Sequence, residues 1–165
     1  HIGPQPNLRN AITTLSTIRR GFTGRGVYTI RSKWSNKVLD VDIGWFGGSS
    51  EGRSLQQWDS HGGLNQQFNI VPTSYGYYKI IAVHSGKAID VKDHSTSDGA
   101  PLQEFMLSAG MTQEFKIEAV GDFYKITVRD SRKVLDVRDF GRDNGAKIQQ
   151  SANFLNFLIL PLCTQ

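Results

Sequence analysis

Residues 28–41 read YTIRSKWSNKVLDV, and the same frame returns as YKIIAVHSGKAIDV at 78–91 and YKITVRDSRKVLDV at 124–137. In each copy a tyrosine stands 12 residues before an aspartate, with a lysine and two apolar residues directly ahead of that aspartate. Three gap-free copies define an internal repeat, and a repeat sets the architecture before any local reading does. Each copy carries short apolar-polar alternations broken by Ser-Asn, Ser-Gly or Ser-Arg turns, the pattern of half-buried strands. Tyr124-Lys125-Ile126-Thr127-Val128 is the clearest period-two run, and no helical periodicity appears after residue 26. Short β units in one domain must close on themselves, because open sheets leave reactive edges. The expectation is therefore all-β: a pseudo-threefold barrel capped by hairpins.

Each copy also continues in the same way. Asp40 is followed by Leu55-Gln56-Gln57-Trp58 and then Gln66-Gln67-Phe68. Asp90 is followed by Leu102-Gln103-Glu104-Phe105 and then Gln113-Glu114-Phe115. Asp136 is followed by Ile148-Gln149-Gln150-Ser151 and then Asn156-Phe157. The aspartate-to-glutamine spacing is 16 in the first copy and 13 in the other two, with the extra residues inside IGWFGGSSEGRS. The third copy is shortened further on: Phe157 falls eight residues after Gln149, against 12 for the matching steps elsewhere.

Composition narrows the function classes. The chain has 165 residues, enough to bury roughly two thirds of its unfolded surface as one domain without staples. Its one cysteine, Cys163, excludes an internal disulfide and any multi-cysteine metal or redox motif. The net charge of +4 is scattered, with Arg19-Arg20 as the longest basic run, which argues against nucleic acid as a partner. No apolar run approaches the ~20 residues of a membrane span, and Phe154–Leu162, broken by Asn156 and Pro161, reads as a buried strand. No signal peptide and no initiator methionine open the chain at His1-Ile2-Gly3-Pro4, so processing or excision from something longer is expected. Residues 1–26 read as an extension or linker, with Asn7 as N-cap and Leu8, Ile12 and Leu15 on one side of a short helix. The repeat domain is expected over 27–165, in copies spanning about 27–76, 77–122 and 123–165.

The order of Asp, Gln-x-aromatic and Asn-Gln-x-aromatic resembles the ricin-type β-trefoil lectins, over about residues 26–162. GVYTIRSKWSNKVLDV followed by QQWDSHGGLNQQFNI is similar to fungal and bacterial members. The resemblance implies a β-trefoil that binds glycans, with galactose or N-acetylgalactosamine as the sugar type and no catalysis. It also implies that Phe68, in the second amide-aromatic unit, packs inward, while Trp58 in the first stands on a pocket wall. The chemistry suits a pyranose on independent grounds. A carboxylate accepts hydroxyl hydrogen bonds, amides donate and accept, and an aromatic ring covers the C–H face of the sugar.

Carried over residue by residue, the first site is Asp40, Gln56, Trp58, Asn65 and Gln66. Asp40 binds hydroxyls, Trp58 stacks, Asn65 hydrogen-bonds one hydroxyl, and Gln66 supports the aspartate or asparagine. Trp45 and Phe46 in the insertion either extend that platform or pack on the barrel wall. The second site is Asp90, Gln103, Phe105 and Gln113, with Thr112 in the asparagine position. The third keeps Asp136 and Gln149 but has Ser151 in place of the ring; Phe140 is the candidate substitute, with His94 its counterpart in the second copy. This third site is expected to be lost.

Catalysis has little support. His61, His84 and His94 fall at unlike places in the copies, and no G-x-S-x-G elbow marks a nucleophile. The carboxylate pairs Asp40/Asp42, Asp90/Asp93 and Asp136/Asp139 recur threefold, whereas a glycosidase needs its dyad once. DFGRDNG at 139–145 lacks the alternate-position spacing of a calcium loop, so neither a metal nor another cofactor is expected. Two other readings stand beside the lectin. One is a trefoil protease inhibitor acting through the loop Ile43–Ser54, for which Asp40 and Trp58 would be dispensable. The other is the glycan-targeting module of a larger toxin or glycosidase. The expected partners are glycans on cell surfaces, together with a second copy in a homodimer or the domains of a parent protein. Action outside the cell or at its surface is favoured over cytosolic storage.

Overall fold

The computed structural model describes residues 22–45, 47, 50–152 and 156–162. The expected N-terminal helix, Phe46 and Cys163 lie outside the described residues.

Twelve strands form among the described residues, four per repeat. The first repeat holds β1 (Gly26–Ser32), β2 (Val38–Val41), β3 (Leu55–Trp58) and β4 (Phe68–Pro72). The second holds β5 (Tyr78–Ala82), β6 (Ala88–Val91), β7 (Leu102–Phe105) and β8 (Phe115–Val120). The third holds β9 (Phe123–Val128), β10 (Val134–Val137), β11 (Ile148–Ser151) and β12 (Phe157–Pro161). The outer strands of each repeat pair antiparallel around a closed ring, β1–β4–β5–β8–β9–β12 and back to β1. Closure leaves the ring without a free edge, as the repeat required. The inner pairs β2–β3, β6–β7 and β10–β11 are hairpins that cap one end. Single bridges tie the caps together: Ser54 with Gln103, Gln56 with Lys147, and Pro101 with Gln149.

The core repeats as the sequence does. Phe68, Phe115 and Phe157 are fully buried, as are the paired positions Ile30/Ile80/Ile126 and Leu39/Ile89/Leu135. Truncating one of these phenylalanines to alanine is expected to cost about 3–5 kcal/mol. At the other end of the tyrosine-to-aspartate frame, Phe22 stands edge-on to all three repeat tyrosines, 5.5 Å from Tyr28, 5.1 Å from Tyr78 and 5.9 Å from Tyr124. Its backbone N–H donates to the Tyr124 hydroxyl at 3.1 Å. A residue from the segment outside the repeat therefore sits where the three copies converge, in the edge-to-face geometry that aromatic rings prefer.

The three repeats are joined by a clasp. In each, a glycine with positive φ (Gly52 at 77°, Gly99 at 84°, Gly145 at 91°) donates its N–H to the backbone carbonyl of a neighbouring hairpin, at Glu104, Gln150 and Gln57 respectively. The same hairpin residue returns a bond from its own N–H to Arg53, Ala100 or Ala146. Only glycine adopts these φ values without a Cβ penalty. Two of the three hairpin residues also clasp with the side chain: Gln57 Nε2 donates to the carbonyls of Gly141 and Asp143, and Gln150 Nε2 to those of Ser95 and Ser97.

Candidate functional site

The first-repeat residues converge on one cleft. Asp40 on β2 faces Gln56 on β3 in register. Gln56 Nε2 donates to Asp40 Oδ1 at 3.0 Å, and Gln66 Nε2 donates to Oδ2 at 2.9 Å. Each carboxylate oxygen thus accepts one amide, which fixes the carboxylate plane and leaves its remaining lone pairs for a ligand. Gln66 also donates to the Asp59 carbonyl and accepts from the His61 N–H, so it ties the floor of the cleft to its far rim. Asn65 Nδ2 donates to the Val41 carbonyl at 3.0 Å. All four of these polar side chains are buried, whereas Trp58 at the end of β3 is 39% exposed. The cleft is about 440 Å³ and is lined by Asp40, Gln56, Trp58 and Asn65 together with Asp42, Ile43, Gly44, Trp45 and His61.

His61 is the member of this cleft that the sequence reading passed over as a lone histidine. Its Nδ1 accepts from the Gly63 N–H at 3.0 Å, which puts the proton of the neutral ring on Nε2. That Nε2 lies 3.7 Å from Asp40 Oδ2. Gly63 is glycine for a steric reason: an added Cβ would sit 2.5 Å from His61 Cε1 and 2.7 Å from Asn65 Oδ1. The glycine turn between the two amide-aromatic units therefore lets the histidine and the asparagine stand side by side.

The third repeat braces the first site. Gly145 comes close enough to Trp58 that a Cβ on it would touch the indole at 3.7 Å. Asn144 accepts from the Asp59 N–H at 2.9 Å and donates to Asp59 Oδ2 at 3.1 Å. Lys37 donates to the other oxygen of Asp59 at 2.6 Å. Lys37 and then Asn144 hold the Asp59 carboxyl below its ordinary pKa. The residue next to Trp58 is thus anchored from two directions.

The other two repeats are less complete. In the second, Gln113 Nε2 donates to Asp90 Oδ2 at 3.2 Å, but Asp90 Oδ1 is buried without a hydrogen-bond partner. Gln103 faces Asp90 in register and Phe105 is 37% exposed. Thr112, in the asparagine position, meets His94 Nδ1 at 3.1 Å. In the third, burial pushes the Asp136 carboxyl above its ordinary pKa, partly offset by hydrogen bonds from Gln149 and the Val137 backbone. Arg138 Nε donates to Gln149 Oε1 at 3.3 Å and Nη2 reaches the Gly99 carbonyl at 3.0 Å. The ring contact shown by Phe140 is with Trp34 of the first repeat, edge-on at 6.1 Å, and Phe140 is 69% exposed. Trp34 also donates to the Phe140 carbonyl and carries Arg142 over its face at 3.9 Å.

A closed barrel of three four-stranded repeats, with cap hairpins at one end, defines the β-trefoil class. The chain belongs to the family described as "Ricin-type beta-trefoil lectin domain-like", whose model matches residues 17–105 and 76–151. Among solved structures it is similar to ThreeFoil, a designed threefold-symmetric protein, with 36% identity, a TM-score of 0.78, and 83% of this chain and 99% of that one covered. It is similar to an exo-β-1,3-galactanase from Clostridium thermocellum, with 35% identity, a TM-score of 0.77, 86% of this chain covered and 31% of the galactanase. It also shares its fold with the C-half of an earthworm R-type lectin in complex with GalNAc, with 19% identity, a TM-score of 0.63, and coverage of 82% of this chain and 98% of that one. A search of curated proteins finds no match.

Proposed function

We propose that the chain is a carbohydrate-binding lectin domain without catalytic activity, and that its principal site is the first-repeat cleft, with galactose or N-acetylgalactosamine as the sugar recognised. The observation that carries this reading is the Asp40 carboxylate, held by one amide on each oxygen beside the exposed ring of Trp58. A carboxylate fixed this way can take two adjacent sugar hydroxyls, and hydrogen bonds to a charged group contribute about 1.5–3 kcal/mol each. Asn65 and His61 supply further polar groups on one side, and Trp58 offers a face for the C–H side of the ring. The sugar type rests on the resemblance and is supported by the galactanase and the GalNAc-bound lectin among the similar structures. The second-repeat set Asp90, Gln103, Phe105 and Gln113 is a weaker site, since it keeps the ring and one amide on the carboxylate. The third-repeat set around Asp136, with Phe140, is a remnant of the frame.

Coverage of 31% of a galactanase 35% identical to this chain favours one refinement: the domain serves as the glycan-targeting module of a longer protein. Its chemistry is the same, and its role is to hold a catalytic or toxic partner at a glycan-coated surface by added avidity.

A glycan array probed with the wild type beside Trp58→Ala tests the reading. The expected result is a galactose- or N-acetylgalactosamine-terminated signal that collapses in the variant. Unchanged binding in the variant would move the site to another repeat. Silence across the array from a folded protein would remove the lectin reading and make protease inhibition the next assay.

A further inference from the structure

The first cleft departs from the threefold pattern at one junction, and the departure reshapes its mouth. Counting five and seven residues on from each repeat aspartate gives Ser95 and Ser97, Gly141 and Asp143, and Trp45 and Gly47. The first two pairs are held by a neighbouring glutamine, Gln150 or Gln57, donating to both carbonyls. The residue in the matching place for the third pair is Glu104, whose carboxylate has no hydrogen to donate. Like Gln57 and Gln150 it accepts from a serine hydroxyl, here Ser85 at 2.7 Å, but its other oxygen lies 3.3 Å from His84 Nε2 rather than serving the loop.

The tip of the first-repeat loop is held from within, while its far end is tied to the second repeat, where Glu51 accepts from the Met106 N–H at 2.8 Å and pairs with Lys87 at 2.7 Å. Arg53, which stands where the other repeats have Ala100 and Ala146, donates from Nη2 to the Gly47 carbonyl and from Nη1 to the Asp42 carbonyl, both at 3.1 Å. The loop is also three residues longer. At the turn after the strand, His94 and Phe140 put side chains where the first repeat has Gly44, which lines the cleft. With no side chain at Gly44, the space beside Asp42 stays open, and the next residue, Trp45, lines the same cleft while fully exposed. Its indole has no ring partner among the described residues.

We propose that Trp45 is a second sugar-stacking platform, so that the first cleft takes an oligosaccharide whose terminal unit sits on Asp40 and Trp58 and whose next unit sits on Trp45. This rests on the lectin reading of that cleft. The unmatched Glu104 and Arg53 are the positioning elements. With no glutamine at position 104 to draw in the loop's carbonyls, Arg53 takes those of Asp42 and Gly47 and sets Trp45 at the rim. Glu51 and Gly52 keep the far end of the loop tied to the second repeat. An exposed indole beside two carboxylates and a tryptophan is suited to a neutral, apolar-faced ligand extended along the cleft.

The test is isothermal titration of the wild type, Trp45→Ala and Trp58→Ala with galactose, lactose and β-1,3-galactotriose. The wild type is expected to bind at least one of the two oligosaccharides about tenfold more tightly than galactose. Trp45→Ala is expected to lose that gain and keep galactose affinity, and Trp58→Ala to weaken all three. Equal affinity of the wild type for galactose and both oligosaccharides would overturn the proposal while leaving the lectin reading intact. So would a gain that survives in Trp45→Ala, or a loss in that variant that is equal for galactose and the oligosaccharide. Absence of binding to any of the three by the folded wild type would remove the galactose reading and the second platform together.

Discussion

Asp40 and Asp136 hold the same place in repeats one and three, yet they live in different surroundings. Asp40 accepts an amide on each oxygen and stands beside an exposed tryptophan. Asp136 has the Gln149 amide and a backbone N–H, Ser151 in place of the ring, and a carboxyl whose pKa burial has raised. The missing donor follows from the shortened third repeat, which has no counterpart to Gln66 before Phe157. The framework is nonetheless kept: Ser35, Ser85 and Ser131 each donate to the residue that follows the site glutamine, Gln57, Glu104 and Gln150. The third repeat also lends Asn144 and Gly145 to the support of Trp58. A repeat that lacks the ring and one amide at its own aspartate can therefore still support another.

The largest effect that would break this contrast is on binding. Asp40→Ala is expected to weaken galactoside binding at least 100-fold, about 3 kcal/mol, with the far-UV dichroism of the folded protein retained. Asp136→Ala is expected to leave titrated affinity and stoichiometry unchanged; a lost site in that variant would refute the assignment of the third repeat as a remnant. Next in size is the part the repeats share. Gln150→Glu removes the donor for two backbone carbonyls and puts a charge in a fully buried place, at an expected cost of about 1–3 kcal/mol in denaturant unfolding. First-site affinity should be unaffected by it. Trp58→Ala follows, with an expected loss of about 0.5–1.5 kcal/mol of galactoside binding beyond the area it buries, read by titration. Asn144→Ala should weaken the same binding by less, because it acts only through the anchoring of Asp59.

The fold was legible because its signal is triplicated. The tyrosine-to-aspartate frame of 12 residues has no reason to recur unless the strands it builds are equivalent. The five proposed first-site residues share that frame; the structure lines one cleft with Asp40, Gln56, Trp58 and Asn65, and Gln66 donates to Asp40 from behind it. What sequence reading missed was each residue whose role depends on a neighbouring repeat or on a turn. His61 enters the cleft because Gly63 leaves room for its ring, a packing fact with no periodicity. Phe22 lies outside the copies and seals against their three tyrosines, so counting repeats could not find it. The Gly52, Gly99 and Gly145 clasp was present as a glycine three residues before each Leu55, Leu102 and Ile148. Aligning those glycines would have shown Arg53 opposite two alanines, and so the one junction held differently.

The smallest expected effect is also the one that separates the two carboxylates by physics alone. Asp136 has a folded pKa above its unfolded value, with burial as the main cause. The folded state then holds its proton more tightly than the unfolded chain does. That contribution to stability is present below the unfolded pKa and is lost as pH rises through the folded one. Asp136→Asn keeps the shape and removes the charge, so it should raise the melting temperature at pH 7 and lose that advantage near about pH 3, where the wild-type carboxyl is itself protonated. Asp40→Asn should do the reverse at neutral pH. Its NH2 would face the amide of Gln56 or Gln66, donor against donor, and the melting temperature should fall. A stabilising Asp40→Asn would mean that the first carboxylate is no better accommodated than the third. A pH-independent gain from Asp136→Asn would mean that charge burial is not what sets the third repeat apart.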